Sequence, residues 1–295
     1  SEPKGPIGSS ETPILCAYDI DCDITLGDFS AGLFQEKRRC LVYPPDRMSS
    51  DGIYVRTADA KARWNHNDVS IVICTHGRPE SLNVTLTSLF RQTFRDFEVL
   101  LITEEGDLSR LRQKGLEAAV GDIVTFIDDD VYCPPTWLES ITKAFKNYSG
   151  LLGVTGPTTV TDEYRQNRDI FKYRFLRKLH DKIFLGNLRY LPSRLSAAGC
   201  PSMASNEPDL EISHSIRADY LEACNMSVKR KEALDAGGFD SIYVRTSEWC
   251  ELDLAFKIGR KGALLFVPEA WLYHRTSKQG IYIARLRTPH RLANF

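Results

Sequence analysis

Ile123-Val124-Thr125-Phe126-Ile127-Asp128-Asp129-Asp130 is a short apolar run, rich in β-branched residues, that ends in three carboxylates. The run reads as a buried strand. Three like charges side by side repel, and desolvation adds to their cost. A divalent cation offsets both. Carboxylate oxygens suit Mg²⁺ or Mn²⁺, which keeps several waters and takes one or two protein carboxylates plus phosphate oxygens. In open α/β sheets, ligands bind beyond the carboxyl ends of the strands. The stretch therefore points to a metal-assisted diphosphate site. The competing reading is an acidic turn opening the next helix, a place where Asp is also favoured.

The neighbouring sequence supplies the sheet around this strand. Residues 69–74 form another short apolar strand, followed by the turn Thr75-His76-Gly77-Arg78-Pro79. Pro79 suits a helix start. Leu82, Leu86, Leu89 and Phe90 then recur at helical spacing over 81–92. A strand over 98–103 and a helix over 108–120 lead back to the acidic strand, and a helix over 135–147 follows it. Alternating strands and helices with short loops imply a parallel sheet with right-handed crossovers. The strand ends at Thr75, Glu104 and Asp128 then converge on one edge. A further strand is expected over 151–155.

The chain of 295 residues has 42% hydrophobic and 26% charged residues, an ordinary globular balance. Its formal net charge of −1 supplies no field to recruit nucleic acid. None of the eight Cys forms a CxxC pair, which argues against a structural zinc site. Cysteines such as Cys74 lie in apolar runs and read as small buried hydrophobes, so a reducing cytosol is expected rather than a disulfide scaffold. No apolar run reaches the ~18 residues of a membrane span, and the opening residues do not read as a signal peptide.

Residues 1–13, rich in Gly, Pro and Ser, read as a flexible lead-in, and 14–68 as a small β-rich extension with strand-like runs at 14–17, 39–43 and 53–56. Between 164 and 187, Phe171, Tyr173, Phe175, Leu179, Ile183 and Phe184 are interleaved with Arg and Lys. Such a stretch suits either a membrane surface and a lipid-linked substrate, or a solvated helix packing its aromatics on the domain. Residues 188–217 read as loop. Order is expected to return at 218–224, followed by Asn225-Met226-Ser227, with a helix over 229–236 stopped by Gly237-Gly238 and a helix opening near Glu248. Strands over 262–267 and 270–273 lead to His274. The tail 276–295 is basic.

Taken in order, Val69–Pro79, Leu86-Thr87-Ser88-Leu89, Phe97-Glu98-Val99, Gly115-Leu116-Glu117-Ala118-Ala119, Asp128-Asp129-Asp130, Cys224-Asn225-Met226, Gly237-Gly238-Phe239-Asp240, Glu248–Leu254 and Pro268-Glu269-Ala270 resemble the family 2 glycosyltransferases. The resemblance covers roughly residues 69–275. It implies the GT-A fold: a Rossmann-like α/β domain with a mixed, mainly parallel central sheet flanked by helices. Residues 69–157 would be the nucleotide-sugar half and 158–275 the acceptor half. It implies inverting transfer of a sugar from a nucleotide diphosphate, with UDP as default, to a glycan or lipid-linked acceptor. The enzyme is then expected in the cytoplasm, at most peripheral to the membrane through 164–187.

The same resemblance distributes roles. Asp130 is the expected metal ligand, with Asp128 or Asp129 touching ribose or metal. Arg112 falls where an Arg meets the diphosphate, and a guanidinium fork suits phosphate oxygens. Thr75 and Arg78 lie where the nucleobase and ribose are cradled. Glu104 stands where the family usually has an Asp. Inversion needs a carboxylate that takes the acceptor proton opposite the leaving group. Glu251 is the candidate base and Glu248, one turn earlier, its rival. Asp253 is read as supporting, Trp249 as a sugar-stacking or core residue, and His274 as a further metal or diphosphate contact or a structural His. A different class of reading is a non-catalytic sugar- or nucleotide-binding module on a degenerate transferase fold. A nucleotidyltransferase would want a Gly-rich phosphate loop after the first strand, and Thr75–Pro79 is too short for one.

Overall fold

The computed structural model describes residues 54–57, 68–160, 175, 179–202 and 212–275. The strand-like runs at 14–17 and 39–43, most of 164–178 and the tail 276–295 lie outside the described residues.

Among the described residues the main sheet has eight strands. In chain order they are β1 (Tyr54–Thr57), β2 (Val69–Cys74), β3 (Phe97–Ile102), β4 (Ile123–Ile127), β6 (Leu151–Thr155), β8 (Ile216–Arg217), β9 (Asn225–Lys229) and β10 (Ala263–Phe266). Their spatial order is β1-β3-β2-β4-β9-β6-β10-β8. β1, β3, β2 and β4 are mutually parallel, as are β6 and β10. β9 runs antiparallel to β4 and β6, its neighbours on either side. The mixed, mainly parallel sheet implied by the sequence is therefore present. β1, from the expected N-terminal extension, extends the edge of this same sheet.

Among the described residues five helices flank the sheet: α1 (Pro79–Phe90), α2 (Leu108–Ala118), α3 (Trp137–Asn147), α4 (Arg230–Asp235) and α5 (Cys250–Gly259). Strand alternation divides the core. Val69, Ile71 and Ile73 of β2 pack with Leu82, Leu86 and Leu89 of α1 and with Trp137 and Ile141 of α3. Val72 points the other way, with Leu116 of α2 and Leu254 and Ile258 of α5. Covered on both faces, β2, β3 and β4 read as continuous apolar runs. Pro79 opens α1, as expected.

The ordered stretch expected at 218–224 is loop and turn, and the strand begins just after it, as β9, Asn225–Lys229. Polar Asn225 and Ser227 suggest a turn, but the sheet satisfies both. Asn225 accepts from the Trp137 indole at 3.1 Å and donates to the Ala270 carbonyl at 2.8 Å. Ser227 shares a 3.0 Å hydroxyl bond with Thr125 across the strands. Buried polar groups are tolerated when paired in this way.

A second sheet, β5-β11-β7, is built from β5 (Val131–Tyr132), β11 (Leu272–His274) and β7 (Thr158–Val160). The triplet Asp128-Asp129-Asp130 is the link between β4 in the large sheet and β5 in the small one. After β7, described residues of the 164–187 stretch form an irregular turn of π-helix (Asp181–Leu185) and a 3₁₀ turn (Gly186–Tyr190). No helix among the described residues is long and apolar enough to cross a membrane.

Candidate functional site

The three aspartates point in different directions, and their surroundings separate their roles. Asp129 is fully buried. It accepts a 2.6 Å bond from the Thr75 hydroxyl, and its other oxygen lies 2.6 Å from Arg78 Nη2, out of line for a hydrogen bond. Burial pushes its carboxyl up to about 7, against the Thr75 bond and the Arg78 charge. Asp129 therefore fastens the β2 end and its turn to the β4 end.

Asp130 is nearly buried, with Arg78 Nη1 at 3.2 Å from one oxygen and His274 Nε2 at 3.0 Å from the other. His274 sits at the end of β11, where it pairs with Val131 of β5. Burial opposes a charge on this imidazole. Asp130 outweighs that penalty, so the ring is drawn well above its ordinary value. Asp128 is the most open of the three, with a third of its side chain exposed. It lies 3.6 Å from His274 Nε2 and 3.8 Å from Arg112 Nη2.

Arg112, on α2, is almost wholly buried, which is unusual for this residue. Its Nη1 lies 3.6 Å from Glu251 Oε2 and 3.4 Å from the Cys250 sulfur. Glu251 stands in the first turn of α5, where the helix dipole favours an anion. Arg112 thus bridges the acidic triplet and the candidate base. Glu248 lies in the preceding loop, where its carboxylate accepts a 2.6 Å bond from Thr246. Asp253 faces Lys257 along α5 at 2.6 Å. Glu104 is half exposed and pairs with Lys114, while His76 pairs with Glu105.

The loop that delivers Glu251 is strained. Arg245, Ser247 and Trp249 all have positive φ, at 58°, 49° and 75°, and Trp249 caps α5. Non-glycine residues hold such angles only where their surroundings impose them, and they cluster at functional sites. Here the start of α2 imposes them. The Leu108 amide donates to the Arg245 carbonyl at 2.8 Å, the Ser109 amide to the Ser247 hydroxyl at 3.0 Å, and the Ser109 hydroxyl to the Tyr243 carbonyl at 2.6 Å. One helix therefore carries Arg112 and also clamps the loop before Glu251.

Asp128, Asp130 and His274 offer oxygen and nitrogen donors at one place, a set that fits a divalent cation. Cys224 stands beside them: an Asp128 oxygen, the Cys224 sulfur and a His274 nitrogen lie within 4.8 Å of one another. Sequence reasoning assigned Cys224 and Ser247 no role. Cys224 opens the Cys224-Asn225-Met226 motif, but only the strand register reveals what it faces.

Residues 102–205 match the family described as Glycosyl transferase family 2. The chain is 25% identical over 260 residues to the glucosyl-dolichyl phosphate glucuronosyltransferase of Haloferax volcanii, an alignment covering 77% of this chain and 70% of that protein. Among solved structures, it is similar to GalNAc-T7 crystallised with UDP, GalNAc and Mn²⁺, at a TM-score of 0.46 and 12% identity, covering 70% of this chain and 44% of that one. It is also similar to S. aureus TarS 1-349, again at 0.46 and 12%, covering 70% of this chain and 60% of that one.

Proposed function

We propose that this chain, a glycosyltransferase with a family 2 domain, is a metal-dependent inverting enzyme that moves a sugar from a nucleotide diphosphate, UDP by preference, to a hydroxyl of a lipid-linked acceptor. The observation that carries the reading is Arg112, buried between Asp128 at 3.8 Å and Glu251 at 3.6 Å. It joins a cation-binding edge to a carboxylate on a separate helix.

In this reading the nucleotide lies over the ends of β2 and β3, near Thr75, Arg78 and Glu104, with Asp129 holding the Thr75–Arg78 turn in place. Asp128, Asp130 and His274 hold a Mg²⁺ or Mn²⁺ ion. Such an ion offsets the charge that builds on a departing diphosphate. Glu251 takes the proton of the acceptor hydroxyl as its oxygen bonds to the anomeric carbon, and the bond from that carbon to the diphosphate breaks on the opposite face. Glu251 is favoured over Glu248 because it shares Arg112 with the triplet, whereas Glu248 is held by Thr246. Asp253 and the capping Trp249 support this helix start.

The lipid-linked acceptor is supported by surface chemistry. Phe175, Leu179, Ile183, Phe184, Tyr190 and Leu191 make up six of the ten exposed large hydrophobic side chains among the described residues. They lie in a stretch interleaved with Arg and Lys, a composition that suits an anionic membrane surface. The name of the Haloferax volcanii relative also specifies a dolichyl phosphate substrate.

A thermal-shift panel of UDP, GDP, dTDP and CDP, each with and without Mn²⁺ or Mg²⁺, tests the donor. A ligand specific to the folded state stabilises it by about 2.7 kcal/mol at a hundred times its dissociation constant. Stabilisation by UDP that requires metal is expected. No stabilisation by any nucleotide in a folded sample would overturn the reading.

A further inference from the structure

We propose that Cys224 is a side-chain ligand of the same cation, giving a mixed oxygen, nitrogen and sulfur site that prefers Mn²⁺ and softer ions to Mg²⁺. The inference rests on the cation site proposed for Asp128, Asp130 and His274.

Backbone register puts the thiol there. β4 and β9 are antiparallel, and Ile127 pairs with Asn225. One step further along the same ladder sets Asp128 opposite Cys224. The small sheet brings His274 to the same point, because β11 pairs with β5 immediately after the triplet. Three chain segments therefore each deliver one donor atom to a space 4.8 Å across. An ion bound at about 2.0–2.3 Å from each donor spans that distance with small side-chain adjustments.

The bland alternative is a cysteine that merely fills core volume. Its surroundings argue otherwise. The Cys224 sulfur faces the Asp128 carboxylate and is hydrogen-bonded with the His274 imidazole, so it meets two candidate ligands and not apolar core. A sulfur donor discriminates between ions. Mg²⁺ demands hard oxygen ligands, whereas thiolates favour later transition metals. Binding releases the thiol proton to solvent.

Cobalt titration of the full chain tests this without any activity assay. Co²⁺ bound through a thiolate shows an intense sulfur-to-metal charge-transfer band in the near ultraviolet. Wild type is expected to show the band. Cys224→Ser is expected to bind Co²⁺ without it, and the ratio of Mn²⁺ to Mg²⁺ affinity should fall about tenfold. Cobalt bound by wild type with no such band, or a band that persists in Cys224→Ser, would overturn the thiol assignment and leave the cation site standing. If wild type binds none of Co²⁺, Mn²⁺ and Mg²⁺, the cation site falls and this inference with it. Should Cys224→Ser not fold, Cys224→Ala takes its place, and if neither folds His274→Ala decides: loss or shift of the wild-type band there supports the assignment, and an identical band refutes it.

Discussion

Arg112 Nη1 lies 3.6 Å from Glu251 Oε2, and the same guanidinium reaches Asp128 at 3.8 Å. A planar fork can hold two carboxylates on different elements, which a lysine ammonium cannot do from one position. Arg112→Lys keeps the charge and loses this geometry. Its turnover should fall by roughly 10²-fold, the scale seen when one positioned donor is removed. Steady-state kinetics with a saturating donor would measure it. Unchanged turnover would mean that Arg112 is only a packing residue.

Glu251→Gln should bind donor as wild type does and lose roughly 10²–10⁴-fold in turnover, the contribution of one general base. Glu248→Gln, in the loop one turn earlier, should lose far less. Calorimetric donor binding and single-turnover transfer separate the two effects. The reverse ranking would move the base to Glu248.

The strands, helices and acidic triplet were legible because each is local. β2, β3 and β4 are short apolar runs with turn signals, and α1 and α3 carry helical spacing. That Asp128, Asp130 and His274 meet at one point follows from the two sheets together and not from any local run. What could not be read depends on pairing between distant segments. β9 does not read as a strand because its Asn and Ser look like turn residues until Trp137, Ala270 and Thr125 are known to satisfy them. Cys224 gains a meaning only from its register with β4. The clamp of Ser247 on Ser109 joins a loop to the first turn of a distant helix with no shared motif.

Burial pushes the thiols of Cys74 and Cys250 up to about 12 each, although Arg112 works the other way. Both are raised above the unfolded value of 9.0. Their contribution to stability is therefore complete below pH 9 and is lost as pH rises towards 12. Melting temperature should fall from about pH 9 upward, and more gently in the Cys74→Ala, Cys250→Ala double variant. At pH 8, iodoacetamide should leave buried Cys250 unlabelled in the native protein and label it after unfolding, as peptide mass spectrometry would record. Rapid native labelling of Cys250 would contradict the assignment.

Ser247→Ala removes the acceptor of the Ser109 amide and one restraint on a backbone held at a φ of 49°. The cost should be about 1–3 kcal/mol, the scale for leaving a buried donor unpaired. Because the same loop positions Glu251, turnover should drop more than donor affinity does. Urea unfolding would measure the stability cost, and single-turnover transfer and donor titration on the same folded preparation would show whether the losses of turnover and affinity separate. Equal losses in both would make Ser247 a stability residue without influence on the site.

Gly115 lies where α2 crosses β2, and a Cβ added there would overlap Val72 Cγ1. Val72 is buried and β-branched, so it has little freedom to turn away. Gly115→Ala should therefore destabilise by about 1–3 kcal/mol, as overpacking does, despite the gain in helix propensity. Val72→Ala alone should also destabilise, by leaving a cavity. The double variant places the new methyl in the space vacated, so its loss should be smaller than the sum of the two single losses. Chemical denaturation of all four proteins closes the cycle. Additive losses would mean that α2 shifts away from the sheet instead, and Arg112 turnover defects should then accompany Gly115→Ala.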